Sequence, residues 1–201
     1  MPTTLTDRPV QPISLDHPPR KLWTRAECEA LETAGLLDGQ HLELIEGELI
    51  NKMGKKLPHV VFLRLLVDWL KDVFGKEFVY QESPIDVAPE DNPTNEPEPD
   101  IMVLKRKLTT SSRRPQPEDL HLVVEVADTT LNFDIATKAA LYARAGIVEY
   151  WVLNVKGRSL IVHRDPRRGL YSSVVEFTEE ESVAPLAAPH ADLRVGDAFS
   201  D

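Results

Sequence analysis

The sequence has few of the features that mark several common functional classes. It contains one cysteine, Cys28, in 201 residues. A single cysteine excludes an intramolecular disulfide framework and a zinc site built from several cysteines, and it favours a reducing, cytoplasmic compartment. Basic residues number 23 against 33 acidic ones, so the formal net charge is −10. Bulk charge therefore does not attract nucleic acid or an anionic membrane, and any nucleic-acid contact needs a local basic patch or a bound cation.

Long apolar runs and common catalytic motifs are missing as well. The most apolar stretch, residues 60–74, is interrupted by Arg64, Asp68, Lys71 and Asp72, whereas a membrane helix needs about 20 mostly apolar residues. The Pro- and Thr-rich beginning lacks an apolar core, so we expect no signal peptide and no membrane association. The absence of GxGxxG, P-loop, GxSxG, HExxH and CxxC motifs leaves no support for nucleotide-binding folds, hydrolase elbows or zinc proteases.

The length and the distribution of proline predict one domain with a short tail. Residues 1–20 hold five of the 16 prolines and are predicted to form a flexible N-terminal tail. The rest of the chain, residues 21–201, has the composition of an average globular protein and is predicted to form a single domain.

Hydrophobic periodicity and turn residues predict an α/β fold. Thr24 and Glu27 form a capping box for a first helix, and Glu46-Gly47 marks the turn of a hairpin over residues 41–53. The later elements are predicted in this order: a helix over 58–74, strands over 77–87, 100–104 and 120–126, a helix from Asn132 or Asp134 to Ala145, a strand over 149–155, and a hairpin of 159–164 and 170–177. The nearly continuous apolar run 120–126 is typical of a central strand buried on both faces. The result is an αβββαβ core with a mixed sheet flanked by helices.

Three charged residues stand where a charge is costly. Asp100 opens a strand, Glu125 interrupts the apolar run of the central strand, and Lys138 lies on the apolar arc of the following helix. Each also has a structural interpretation: Asp100 as a turn residue, Glu125 as a strand-edge position facing water, and Lys138 as a side chain that reaches to solvent. If the strands are neighbours, the two carboxylates could bind a hard divalent cation through oxygen.

Other polar residues carry weaker signals. Glu43 and Glu46 lie in the hairpin, where glutamates usually form a solvated face, and His59 stands in the first turn of the long helix. Basic residues cluster after the hairpin, after the Asp100 strand and at the late turn, namely at Lys52, Lys55, Lys56, Lys105, Arg106, Lys107, Arg113, Arg114, Arg164, Arg167 and Arg168. Such clusters are usually solvated surface, but beside a carboxylate site they would supply phosphate contacts.

Taken together, these segments resemble the Uma-two family of restriction-type endonucleases in the PD-(D/E)XK superfamily. The resemblance covers about residues 22–199, and it is carried by ELIEGE (43–48), His59, EPDI (98–101), LVVEV (122–126), Lys138 and YARAGIVEYW (142–151). It implies a restriction-endonuclease-like core and hydrolysis of phosphodiester bonds with Mg²⁺ or Mn²⁺. Position 127 is alanine where the superfamily usually has its lysine, and the resemblance shifts that lysine to Lys138.

The resemblance implies a metal-dependent DNA endonuclease. Asp100, Glu125 and the main-chain oxygen of Val126 would hold the metal, and Lys138 would orient the attacking water or neutralise charge on the phosphate. Glu43, Glu46 or His59 could complete the site. A homodimer is expected, one subunit for each strand. The alternatives are a catalytically silent module that binds DNA or a protein partner, and a nuclease that acts on RNA or on single-stranded, branched or damaged DNA.

Overall fold

A six-stranded mixed sheet lies between two layers of helix and hairpin. The structure is a computed structural model that describes residues 20–52 and 56–200. The predicted tail, residues 1–20, falls outside the described residues except for Arg20, as does Lys55 of the first basic cluster.

The chain first forms α1 (Arg25–Thr33), the hairpin strands β1 (Leu42–Ile45) and β2 (Glu48–Asn51), and α2 (Leu57–Phe74). The sheet consists of β3 (Val79–Tyr80), β4 (Ile101–Leu104), β5 (Leu120–Ala127), β6 (Glu149–Asn154), β7 (Ser159–Arg167) and β8 (Leu170–Phe177). Between β5 and β6, α3 covers residues 131–144 and comprises α-helical Leu131–Phe133, a wider π-helical turn Asp134–Lys138 and α-helical Ala139–Arg144. The short strands β9 (Ser182–Val183) and β10 (Leu193–Arg194) follow, and short 3₁₀ helices cover Asn92–Thr94, Pro117–Asp119 and Val195–Phe199.

The order of the strands in the sheet is β3-β4-β5-β6-β7-β8. Neighbouring strands are antiparallel except β5 and β6, which are parallel and joined by the crossover helix α3. The succession α2-β3-β4-β5-α3-β6 is the predicted αβββαβ core, so the predicted fold class is confirmed. The interior place of β5 follows from its apolar residues, which need cover on both faces.

Each face of the sheet has its own core. On one face α2 packs through Leu66 and Leu70 against the sheet, with Trp151 buried beneath it. On the other face α3 contributes Leu141 and the β1-β2 hairpin contributes Ile45. Among the described residues, no helix is both long enough and apolar enough to cross a membrane.

The local turn and capping predictions hold. Thr24 caps α1 and forms the capping box with Glu27. The hairpin turn places Glu46 and Gly47 at φ of 51° and 76°, the left-handed conformations that a two-residue hairpin turn requires.

The predicted strand over residues 77–87 is wrong for most of its length, because only Val79–Tyr80 pairs with β4. Beyond it, the N–H groups of Glu82, Ile85 and Asp86 donate to the carbonyls of Pro99, Pro97 and Pro115. Proline has no N–H to return, so these single bonds cannot extend into a ladder.

Two further boundaries differ from the prediction. The crossover helix begins at Leu131 rather than at residue 132 or 134, because its first turn closes on the carbonyl of Thr130, which accepts from the N–H groups of Phe133 and Asp134. Strand β7 extends to Arg167, because Arg168 and Gly169 form the whole hairpin turn at φ of 52° and 78°.

Candidate active site

Asp100 and Glu125 meet because β4 and β5 are antiparallel neighbours. Ile101 pairs with Val124, which places the preceding Asp100 opposite Glu125. The N–H of Asp100 lies 3.4 Å from Oε2 of Glu125, and the N–H of Val126 donates to Oδ2 of Asp100 at 2.8 Å. Both carboxylates are buried, on the sheet face that α3 covers.

Lys138 reaches these carboxylates from α3. Its Nζ lies 2.9 Å from Oε1 of Glu125 and 2.9 Å from Oε1 of Glu43, and the side chain is only 3% exposed. Burial by itself would lower the pKa of the ammonium, but the carboxylates of Glu125, Glu43 and Asp134 offset burial and raise that pKa above its usual value. Lys138 is therefore a cation at neutral pH.

Glu125 is contacted by more than one donor of the site. Besides Lys138, the hydroxyl of Tyr142 donates to its Oε1 at 3.2 Å. Burial raises the pKa of Glu125 to about 8; the ammonium of Lys138 acts against this rise, and the nearby carboxylates add to it. Protonation of Glu125 and its ion pair with Lys138 are thus in direct competition.

His59 approaches from the other layer, in the first turn of α2. Its Nε2 lies 3.7 Å from Oδ1 of Asp100, is buried, and makes no hydrogen bond within the described part of the chain. A buried nitrogen without a partner costs free energy, so its presence beside a carboxylate is typical of a ligand position.

These side chains line one cavity of about 150 Å³ at the end of β5. The β1-β2 hairpin, helices α2 and α3 and the strand ends contribute to its wall. The wall includes Glu43, His59, Asp100, Glu125, Val126, Asp134 and Lys138. The side chains of Lys52 and Lys56 line it as well. The Nζ of Lys52 lies 3.7 Å from Oε2 of Glu98, and the Nζ of Lys56 lies 3.5 Å from Oδ2 of Asp128.

The structure thus brings together the sequence-derived candidates with one exception. Glu46 lies in the hairpin turn, where its carboxylate binds Arg144, and it is not part of the cavity wall. The alternation of side chains along a strand turns Glu43 inward, and Glu46 follows after the strand has ended.

Two buried residues of the site were not among the candidates. Asp134 precedes Lys138 by four positions on the same helix face, and its pKa is raised to about 6, mainly by burial. Tyr142 follows Lys138 by four positions on that face. The i, i+4 spacing was a usable signal for both. Within residues 20–52 and 56–200, no three Asp, Glu, His or Cys side chains form a ready group for a metal ion.

Comparisons with known proteins agree with this architecture. The family model described as "Putative restriction endonuclease", Uma2, matches residues 26–196. No curated protein matches the sequence. A crystal structure of a "putative nuclease belonging to DUF820" from Anabaena variabilis is similar with a TM-score of 0.59 and 17% identity, covering 80% of this chain and 90% of that chain. At this identity the likeness shows the fold. Because the family model spans most of the sequence, the chain belongs to the Uma2 family of restriction-endonuclease-type nucleases.

Proposed function

We propose that this protein is an endonuclease that hydrolyses phosphodiester bonds in DNA with Mg²⁺ or Mn²⁺. One observation carries the proposal: two carboxylates from adjacent strands and one protonated lysine are buried together in an open cavity. Buried charges are costly, and a site that holds several of them is typical of one that handles a charged ligand.

The residues present fit a hard divalent cation. The carboxylates of Asp100 and Glu125 offer the oxygen ligands that Mg²⁺ and Mn²⁺ prefer. Val126 is the third candidate ligand. Its N–H faces Asp100, and the N–H and C=O of one strand residue lie on the same edge. The β4-β5 pairing ends at Val124, so no hydrogen bond of the β4-β5 ladder occupies the carbonyl oxygen of Val126.

The donor set also carries an excess of negative charge. Glu43, Asp100, Glu125 and Asp134 surround the cavity with Lys138 as the cation buried among them. A bound cation would offset this repulsion. The Nε2 of His59 makes no hydrogen bond with any described residue and lies 3.7 Å from Oδ1 of Asp100, which supports a ligand near Asp100 in the same way.

Each residue then has a distinct part in hydrolysis. A divalent cation held by Asp100, Glu125 and Val126 would supply a water of lowered pKa and positive charge beside the phosphate. Lys138 cannot serve as a base, because it stays protonated. Two of its three N–H groups face Glu125 and Glu43, which leaves one to donate to the attacking water or to a phosphate oxygen. Glu43 and Tyr142 position Lys138 and Glu125.

We also propose a homodimer, in which each subunit acts on one strand of a duplex. Strand β8 is an edge of the sheet, and its Leu170, Val174 and Val175 are 65%, 54% and 46% exposed. Exposed apolar residues along a sheet edge favour pairing with another chain. Light scattering should give twice the chain mass of 22.6 kDa, and a mass of one chain at working concentration would refute the dimer. We propose the cytoplasm as its compartment, because Cys28 is a free thiol.

A cleavage screen tests the activity. Supercoiled, linear, single-stranded and branched DNA, together with RNA, would be incubated with Mg²⁺, with Mn²⁺ or with EDTA. We expect metal-dependent cutting that Glu125→Ala abolishes and that Glu180→Ala, a change at an exposed glutamate distant in sequence from the site, leaves unchanged. DNA binding without cutting under any condition would instead identify a silent module. Cleavage of RNA alone would overturn the choice of DNA.

A further inference from the structure

A second groove lies directly beside the active-site cavity. It has a volume of about 400 Å³ and is lined by residues 128–133 together with Asn154 and Lys156. Four of its residues, Asp128, Thr129, Thr130 and Phe133, also line the cavity that holds Asp100 and Glu125. The two spaces therefore share one wall.

The topology of the sheet explains this groove. Strands β5 and β6 are parallel, and their last residues, Ala127 and Asn154, pair with each other. After these residues both strands leave the sheet at the same edge. Strand β5 continues toward α3, and strand β6 continues into the turn before β7. The crevice outside the carboxyl ends of parallel strands is where open α/β sheets usually bind ligands.

The cations near the two spaces are not equivalent. Lys138, Lys52 and Lys56 are each paired with a carboxylate. Lys156 also lies at the groove, is exposed, and has no hydrogen bond or ion pair with any residue in the described ranges. Its charge is thus available to an anion from outside.

Neutral hydrogen-bonding groups complete the groove. Thr129 and Asn132 are exposed along its wall. Hydroxyl and amide groups beside a lysine are typical of contacts to a nucleic-acid backbone, which fix the register of a strand without reading its bases.

We propose that this groove binds the phosphate adjacent to the scissile one, with Lys156 as its cationic contact and Thr129 and Asn132 as neutral contacts. The inference rests on the proposed nuclease function and names how that site holds its substrate. A single strand crossing the shared wall would place one phosphate in the cavity and the next in the groove. Lys156 is a positioning residue, because it does not line the cavity.

Counterion release gives the expected size of the effect. Each phosphate neutralised by a lysine contributes about −0.9 to the slope of log K against log[salt] on duplex DNA. At 0.1 M salt, one such contact corresponds to an affinity gain of about eightfold. Replacing Lys156 should remove one contact, whereas replacing a neutral residue should weaken binding without changing the slope.

The test measures binding of a fluorescein-labelled 30-base-pair duplex in EDTA between 50 and 200 mM NaCl. Lys156→Ala should weaken binding about eightfold at 0.1 M and make the slope shallower by about 0.9, and Lys156→Arg should restore both. Asn132→Ala should weaken binding with the wild-type slope. Lys76→Ala is the matched control: Lys76 is an exposed lysine without an ion pair among the described residues. It follows the end of α2, whose last residue, Phe74, lies about 22 Å along the helix from His59.

The outcomes separate this inference from the proposed function. Wild-type cutting of DNA together with an unchanged slope in Lys156→Ala, or an equal loss in Lys76→Ala, would overturn the groove while leaving the nuclease standing. A wild-type protein that neither binds nor cuts DNA would overturn both. Retention of the Mg²⁺-induced rise in melting temperature by Lys156→Ala would support a contact outside the metal site.

Discussion

Replacing Lys138 by methionine is the most direct test of the buried charge cluster. Methionine has a similar length and leaves little void, so the change mainly removes the charge. The variant would leave Glu125, Glu43 and Asp134 buried without the ammonium that now lies 2.9 Å from the first two. Removing one partner of a buried ion pair typically costs about 3–5 kcal/mol, because the remaining charge is uncompensated. We expect a loss of that size in the free energy of unfolding at pH 9, above the pKa of about 8 to which Glu125 is raised.

Urea unfolding followed by tryptophan fluorescence measures this loss, since Trp151 is fully buried in the sheet. The control is Lys76→Met, at an exposed lysine, which should change the free energy of unfolding by less than about 0.5 kcal/mol. Glu125→Gln in the Lys138→Met background should recover about 1–3 kcal/mol, because it removes one of the charges left behind. The recovery would show that the cost comes from the unpaired carboxylate.

Divalent cations add an independent readout of the same variant. Without Lys138 the cavity is more negative, so Mg²⁺ should raise the melting temperature of Lys138→Met more than that of the wild type, by mass action on the folded state. A loss below about 1 kcal/mol, which is the range of exposed ion pairs, would refute the reasoning. Additive effects of Lys138→Met and Glu125→Gln would refute it as well.

Three further changes give distinct results. Asp100→Asn should abolish cleavage and the Mg²⁺-induced rise in melting temperature; a rise equal to that of the wild type would contradict Asp100 as a metal ligand. At pH 9, where Glu125 is ionised, Tyr142→Phe should lower the free energy of unfolding by about 1.5–3 kcal/mol, because it removes a hydrogen bond to a charged group, and no change in urea midpoint would refute that bond. Burial lowers the pKa of His163 below 6.5, so the unfolded chain binds the proton more readily and stability falls as the pH drops below about 6.5. His163→Phe should remove that part of the loss between pH 7.5 and pH 5; identical urea midpoints against pH for variant and wild type would argue against it.

Elements whose causes are local or compositional could be predicted from the amino-acid sequence. The capping box of Thr24 and Glu27 and the left-handed turn at Glu46 and Gly47 depend on neighbouring residues alone, so they could be predicted. The run 120–126 indicated an interior strand, because so many apolar side chains need cover on both faces. The cost of a charge in such a strand singled out Glu125 before any partner was known.

Other features depend on residues that are far apart in the chain, so they follow only from the packing of the folded protein. The region after Tyr80 does not extend as a strand because Pro84 interrupts it and because it lies opposite Pro97, Pro99 and Pro115. Pro84 was a local signal, whereas the opposing prolines are distant in the sequence. Likewise, Glu46 lies outside the cavity whereas Asp134 lies inside it, because burial and charge pairing depend on how the hairpin and α3 pack on the sheet. The sequence alone allowed the Lys138 side chain either to extend to solvent or to face the sheet. Packing placed it between Glu43 and Glu125, since only there do opposite charges compensate its burial.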